Sequence, residues 1–253
     1  MKIVVIGGSG LIGSKLVRKL LPLGHTVVAA SPATGVNTIT GEGLYEVLKE
    51  TDVVVDVSNA LSFDDKAVLD FFQRSTLNLL TAEAYAGVKH HIALSVVGAE
   101  RLPDSVYFNA KVVQEELIEE SGVAFSILRS TQFFELANRI AQAGTIGDEV
   151  YISPAPFQPV AADEVVTVLT DLVHGTPLNN TIEVAGPVLM PMYEFIRYYM
   201  NETEDPRQLL MDEHALFFGT ELNDESLIPS EGARIGKTKY EDWFIRQLAM
   251  HGS

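Results

Sequence analysis

The stretch IGGSGLIGSKL, residues 6–16, follows at once on the apolar run Ile3-Val4-Val5-Ile6. A short β-branched run of this kind reads as a buried strand, and residues 11–21 carry a helical pattern, so the glycines occupy a strand-to-helix turn. They satisfy two spacings together, Gly8-x-Gly10-x-x-Gly13 and Gly7-x-x-Gly10-x-x-Gly13. Either suits a dinucleotide. Small residues let the backbone approach a pyrophosphate, and the helix N-terminus offers free N–H groups and the positive end of its dipole. The expected cradle is Gly7, Gly8, Ser9, Gly10, Leu11, Ile12 and Gly13.

Outward from this turn, short β-branched runs alternate with helical stretches, the pattern of parallel strands joined by crossover helices. Strands are expected at 2–6, 26–30, 36–39, 52–57, 91–96 and 124–128, with helices at 11–21, 43–50, 64–86 and 110–120. In the last helix Val112, Val113, Leu117 and Ile118 form an apolar stripe, and Glu115, Glu116, Glu119 and Glu120 read as its wetted face. After Arg129 the alternation loosens into SPAPFQPVAADEVV, followed by a helix at 163–174, a strand at 181–184 and a terminal helix at 240–249. The fold class is therefore α/β, a Rossmann-type doubly wound parallel sheet with a smaller C-terminal substrate-covering part. We divide it into residues 1–130, the NAD(P)-binding domain, and 131–253, partly integrated with the same sheet.

Composition narrows the chemistry. The chain has 253 residues, 47% of them hydrophobic, no cysteine, and a formal charge of −16. Without thiols there is neither a disulfide framework nor a thiolate nucleophile or metal ligand. The negative charge repels nucleic-acid phosphates, so no nucleic-acid partner is expected. The chain opens with too few apolar residues for a secretion signal and has no membrane-length run, giving a cytoplasmic expectation with no membrane partner. Yet residues 1–41 contain Lys2, Lys15, Arg18 and Lys19 and no acid, an arrangement that favours an anion near the glycine turn.

The usual NAD signature has an acid about 20 residues beyond the glycines, on the adenosine ribose. Here that region reads Ala29-Ala30-Ser31-Pro32-Ala33-Thr34. Ser31 and Thr34 would meet a 2′-phosphate with hydroxyls, which favours NADP, with NAD as the alternative. No Lys or Arg follows Lys19 until Lys49, so a clamping cation must come from elsewhere. Asn59, after the fourth expected strand, is a candidate contact to the cofactor edge.

YFNAK places Tyr107 and Lys111 at helical i, i+4 spacing, beyond the strand that ends near Ser95. A nearby ammonium stabilises a phenolate, so Lys111 would make Tyr107 a better acid and hold the nicotinamide ribose, while Ser95 would steady a developing oxyanion. Gln132, Phe133 and Phe134 follow the sixth expected strand; one phenylalanine is expected in the core. His25, His90 and His91 read as solvated strand starts, and no metal is assigned.

Gly7-x-x-Gly10-x-x-Gly13, Asn59 after an apolar strand, Ser95, and Tyr107-x-x-x-Lys111 together resemble an atypical short-chain dehydrogenase/reductase, close to the NmrA-like NAD(P)-binding branch. The resemblance covers residues 1–135 and favours the second glycine spacing. It implies a Rossmann fold holding NAD(P)(H) along the strand ends and hydride transfer to a carbonyl, quinone or similar small-molecule substrate. The branch also includes redox sensors that bind the nucleotide without turnover and act through a protein partner. A cofactor-dependent isomerase or epimerase fits the same residues, and homo-oligomerisation is left undecided. The chain departs from the family pattern in two places: Ser95 and Tyr107 are 12 residues apart, closer than in the characterised enzymes, and Ser130 in LRSTQFFE replaces the usual Pro.

Overall fold

The computed structural model describes residues 1–60 and 65–251. In chain order its elements are β1 (Lys2–Ile6), α1 (Leu11–Leu20), β2 (Thr26–Ala30), α2 (Leu44–Val47), β3 (Val53–Asp56), α3 (Asp65–Ala86), β4 (His90–Val96), α4 (Val106–Glu120) and β5 (Phe125–Ser130). There follow α5 (Ala137–Ala143), β6 (Thr145–Ile146), β7 (Glu149–Ile152), β8 (Pro156–Phe157), α6 (Ala162–His174), β9 (Thr181–Ala185), β10 (Met190–Pro191), α7 (Met192–Glu202), β11 (Gln208–Met211), β12 (Arg234–Ile235) and α8 (Tyr240–His251). The seven-stranded sheet has the order β12-β9-β5-β4-β3-β1-β2, and β1 pairs in parallel with both β2 and β3, as β3 does with β4. This is a Rossmann-like α/β fold.

Two compact units divide the chain, Met1–Arg129 with Val165–Ile182, and Ser130–Glu164 with Glu183–Ser253. In the first, β1 is buried from Ile3 to Ile6 and carries only Ile and Val there. Its crossover leads one way to β2, whereas the crossover from β3 leads the other way to β4. Right-handed connections then put α1 and α3 on opposite faces, and the order reverses between the carboxyl ends of β1 and β3. On one face Lys19 Nζ in α1 donates to Thr167 Oγ1 in α6 at 2.7 Å; on the other α3 and α4 pack together. Val4, Ile6, Val54, Leu79 and Ala82 form one core cluster with Leu44 and Leu48.

The second unit holds a three-stranded sheet, β11-β7-β6, and the short pair β10-β8. Its core is aromatic: Phe134, Phe195, Tyr240 and Trp243 lie 4.2–6.5 Å apart between ring centroids in their recorded pairs. Phe134 is thus the core phenylalanine of the pair weighed from sequence, while Phe133 bridges to Val160 and is half-buried. No described helix is long and apolar enough to cross a membrane.

Several expectations need correction. Residues 36–39 form no strand, because the Asn37 side chain accepts hydrogen bonds from Ile39 N and Thr40 N at 3.0 and 3.3 Å and turns the chain; Val36 joins the core from this loop. The helix expected at 43–50 shrinks to Leu44–Val47. The expected start of the third helix, Asp64, lies outside the described residues. The helix of Tyr107 begins at Val106, with Ser105 as its first capping position. Glu115 is buried rather than wetted, because Arg129 reaches it from β5. His90 and His91 are buried inside β4, not solvated: His91 Nδ1 lies 2.8 Å from Glu83 Oε1, and His90 Nε2 lies 2.8 Å from Ser126 Oγ. Burial depresses the His91 pKa, but the adjoining Glu83 carboxylate outweighs it and holds His91 above its ordinary value. Burial likewise holds Glu83 above its own, against the pull of His91.

Burial and the neighbouring His91 hold His90 down to about 4. The unfolded chain protonates this imidazole near 6.5, so between those values the unfolded state binds more protons and the folded state loses stability as pH falls. By pH 5.5 the loss attributable to His90 is about 1 kcal/mol relative to pH 7. Urea denaturation of wild type and His90→Gln at both pH values measures it: the variant is expected to show the shallower pH dependence.

Candidate functional site

The carboxyl ends of β1 and β3 meet through bare backbone. Gly7 has φ +77°, and a Cβ there would lie 2.8 Å from the Ser58 backbone; at Gly8 it would lie 2.7 Å from Ala29 Cα, and at Gly13 2.2 Å from Gly7 O. Both spacings are therefore in use, since Gly7, Gly8 and Gly13 are all required by packing. Gly7 N and Gly8 N donate to Ala30 O at 3.0 and 3.3 Å, fixing the turn over the end of β2. Ser9 and Leu11 are exposed on the turn, whereas Ile12 is buried beneath it.

Gly10 differs. It has φ −77°, open to any residue, and a Cβ would meet only Gly7 O, at 3.3 Å. Packing here is tight against that one backbone oxygen but far less exacting than at Gly7, Gly8 or Gly13. The N-terminus of α1 that it opens has no side-chain cap and no acid in its first turn, so its first N–H groups point past a flank stripped of side chain. A diphosphate fits that flank, as it accepts from helix-terminal amides and needs close backbone approach.

At the end of β2, Thr34 Oγ1 accepts from Ser31 N at 2.9 Å and lies 3.1 Å from Ala29 O, so its hydroxyl is engaged in its own turn. Ser31 is buried, and its side chain faces the Thr34 backbone N–H in a capping box of the same turn. Asn59 is exposed, with Oδ1 accepting from Ala60 N at 3.0 Å. The neighbour that touches the glycine turn is Ser58, whose buried Oγ has no partner among the described residues. Sequence reasoning missed Ser58; its position two residues beyond Asp56, the acid that ends an apolar strand, was the available signal.

Ser95 lies near the carboxyl end of β4, 5% exposed, with Oγ unpartnered among the described residues. Tyr107, in the first turn of α4, is half-buried with its ring edge-on to Phe72 and Phe108, 6.0 and 5.7 Å between centroids. Lys111 follows one turn later but is turned inward. It is 2% exposed, its Nζ donates to Leu94 O at 2.9 Å and to Gln114 Oε1, and it sits 4.6 Å from the Phe72 ring centroid. Gln114 Nε2 in turn donates to Asp56 Oδ2 at 3.0 Å, and Ser58 N donates to Oδ1 of the same carboxylate. Burial draws the Lys111 pKa down to about 8, against the opposing pull of Asp56 and Glu115. The sequence reading did not find Asp56 or Gln114, although Gln114 stands three residues beyond Lys111 on the same helix.

Beside this network, Arg129 Nη2 and Nε reach Glu115 at 2.6–3.2 Å while Nη1 reaches Glu100 at 2.7 Å. In the second unit Ser130 is buried, and Gln132 is buried with Oε1 unpartnered among the described residues.

The sequence model described as "NAD dependent epimerase/dehydratase family" matches residues 3–134. Photosystem II assembly factor Ycf39 from Synechocystis sp. (strain ATCC 27184 / PCC 6803 / Kazusa) is 26% identical over 149 residues, and the protein of that name from Cyanophora paradoxa 27% over 149. Each match covers 53% of this chain and 46% of the relative, so less than half the length of these curated relatives is spanned. Among solved structures, dTDP-4-dehydrorhamnose reductase from Bacillus anthracis str. Ames in complex with NADP has a TM-score of 0.76 at 14% identity, covering 97% of this chain and 99% of that one. MoeE5 in complex with UDP-glucuronic acid and NAD has 0.76 at 17%, covering 98% and 100%. WbmH from Bordetella bronchiseptica in complex with NAD+ has 0.75 at 13%, covering 100% and 99%. At these identities the likeness is one of fold.

The two kinds of glycine separate on mutation. Gly13→Ala forces its methyl into Gly7 O and is expected to destabilise by about 1–3 kcal/mol. Gly10→Ala is expected to change stability by about 1 kcal/mol or less while weakening NADPH or NADH roughly tenfold or more. Thermal melts paired with titration calorimetry measure both.

Proposed function

The chain belongs to the NAD dependent epimerase/dehydratase family, and on that premise we propose that it is an oxidoreductase of the atypical short-chain type, in the NmrA-like branch. It would hold NADP(H), or alternatively NAD(H), across the carboxyl ends of β1, β3 and β4, and act on a carbonyl or quinone-like small molecule. The observation that carries this reading is Gly10: a flank bare of side chain, less tightly packed than its neighbouring glycines, above the uncapped end of a helix. Ser31 supports NADP, because it places a small hydroxyl side chain at the end of β2 and residues 1–41 bring no carboxylate to repel a 2′-phosphate.

The bound dinucleotide supplies a hydride. The chain's own residues divide the remaining work. The Tyr107 phenol delivers the proton, with the enclosed Lys111 charge stabilising the phenolate left behind. The hydroxyl of Ser95, unpartnered among the described residues, donates to the oxygen on which charge develops. Lys111 also fixes the end of β4, because it binds the carbonyl immediately before Ser95.

A second reading is favoured by the inward turn of Lys111 and by the match to an assembly factor. In it the same cradle holds the nucleotide without turnover, and the chain acts through a protein partner.

Calorimetry with NADPH and NADH, then oxidation assays across quinones, aldehydes and ketones, separate the two. Under the first reading Tyr107→Phe lowers kcat by about 100-fold or more with cofactor affinity retained. Firm binding with no turnover on the whole panel supports the second. Ser31→Asp is expected to weaken NADPH roughly tenfold more than NADH, and equal weakening would remove the NADP assignment.

A further inference from the structure

From sequence, His25 reads as a solvated strand start because no ligand-type residue lies near it in the chain. The fold brings one from 149 positions away. His25 Nε2 and His174 Nε2 lie 2.8 Å apart, with ring centroids 4.9 Å apart and planes inclined by 45°. Both belong to the first unit, His25 just ahead of β2 and His174 in the last turn of α6.

The second nitrogen of His174 settles how its ring is presented. Its Nδ1 lies 2.7 Å from Thr170 O; a carbonyl only accepts, so Nδ1 carries the hydrogen and the Nε2 lone pair faces His25. An imidazole anchored through one nitrogen by a backbone carbonyl, with the lone pair of the other turned outward as an acceptor, is the arrangement of a metal-ligating histidine. Distance discriminates among metals. With metal–nitrogen bonds of about 2.0–2.1 Å, two imidazoles at a right angle have nitrogens about 2.9 Å apart, whereas a tetrahedral pair needs about 3.4 Å. The nitrogen spacing is close to that of the right-angled pair, and the 4.9 Å between centroids, nearly that of two rings facing head-on in a hydrogen bond, means that both rings pivot to aim their lone pairs at one ion. The negative end of the α6 dipole adds attraction for a cation at that point.

We propose that His25 and His174 form a surface two-imidazole site for a divalent transition ion of octahedral or tetragonal preference, of the copper(II) or nickel(II) type. Among the described residues no group of three or more His, Cys, Asp or Glu gathers, so water completes the coordination. In the metal-free pair His25 Nε2–H donates to His174 Nε2. On binding, that hydrogen moves to His25 Nδ1 and both Nε2 lone pairs bind the ion, with no net change in protons. The ion would tie the turn at Gly24 to the end of α6.

The test uses the full, untagged chain with copper(II) and nickel(II) as probes, zinc(II) for comparison, and no nucleotide. The expected result is one bound copper(II) whose electron paramagnetic resonance shows nitrogen ligation, with affinity reduced roughly tenfold or more in both His25→Gln and His174→Gln and unchanged in His214→Gln. Nickel(II) should raise the melting temperature of wild type and not of the two site variants, while circular dichroism shows all variants folded. Retention of wild-type affinity by either site variant, or absence of binding to wild type, overturns the proposal.

Discussion

The approach of backbone to backbone at the head of the sheet is the constraint on which the rest depends. Gly13 in α1 packs a bare Cα against Gly7 O, and Gly7 does the same against Ser58 after β3. Side chains at these points would lift α1 from β1 and part the two loops. Because strand order reverses between β1 and β3, this is where a crevice opens in a doubly wound sheet. The packing that closes the fold thus leaves the helix amides and the Gly10 flank facing one place.

Electrostatics beneath that place has its own logic. An ammonium buried among apolar neighbours is unfavourable unless its donors and charge are matched. Lys111 is matched by the Leu94 carbonyl, by Gln114, and by Asp56 one link further on, with the Phe72 ring over it. The network joins β3, β4 and α4 and lies beside Ser95, so a charge that reads as a cofactor contact also serves as a structural tie. The Arg129 pairings with Glu115 and Glu100 do the same for the end of β5.

Legibility in the sequence followed the range of the interactions involved. The bounds of β1 and β2 were readable because a β-branched run flanked by glycine or a turn states its own limits. The glycine turn between β1 and α1 was readable for the same reason. Residues 36–39 misled because the Asn37 side chain, rather than the β-branched run, governs the local hydrogen bonds. His90, His91 and Glu115 were misplaced because the partners that make their burial tolerable, Ser126, Glu83 and Arg129, arrive from other elements. The inward turn of Lys111 was invisible likewise: helical spacing gives the face of a residue but not which neighbour claims its terminal atom.

The contrast between an acid-free first helix turn and a chain of net charge −16 bears on how fast an anion arrives. Far from the surface a phosphate-bearing molecule meets the summed negative field, and only within a few ångströms do the local amides take over. Mobile ions mute the distant field first, the Debye length being about 10 Å at 0.1 M salt. Moderate salt would therefore hasten the approach of an anion to this surface, the reverse of the behaviour of a basic nucleotide-binding surface, while leaving any escape rate governed by short-range contacts.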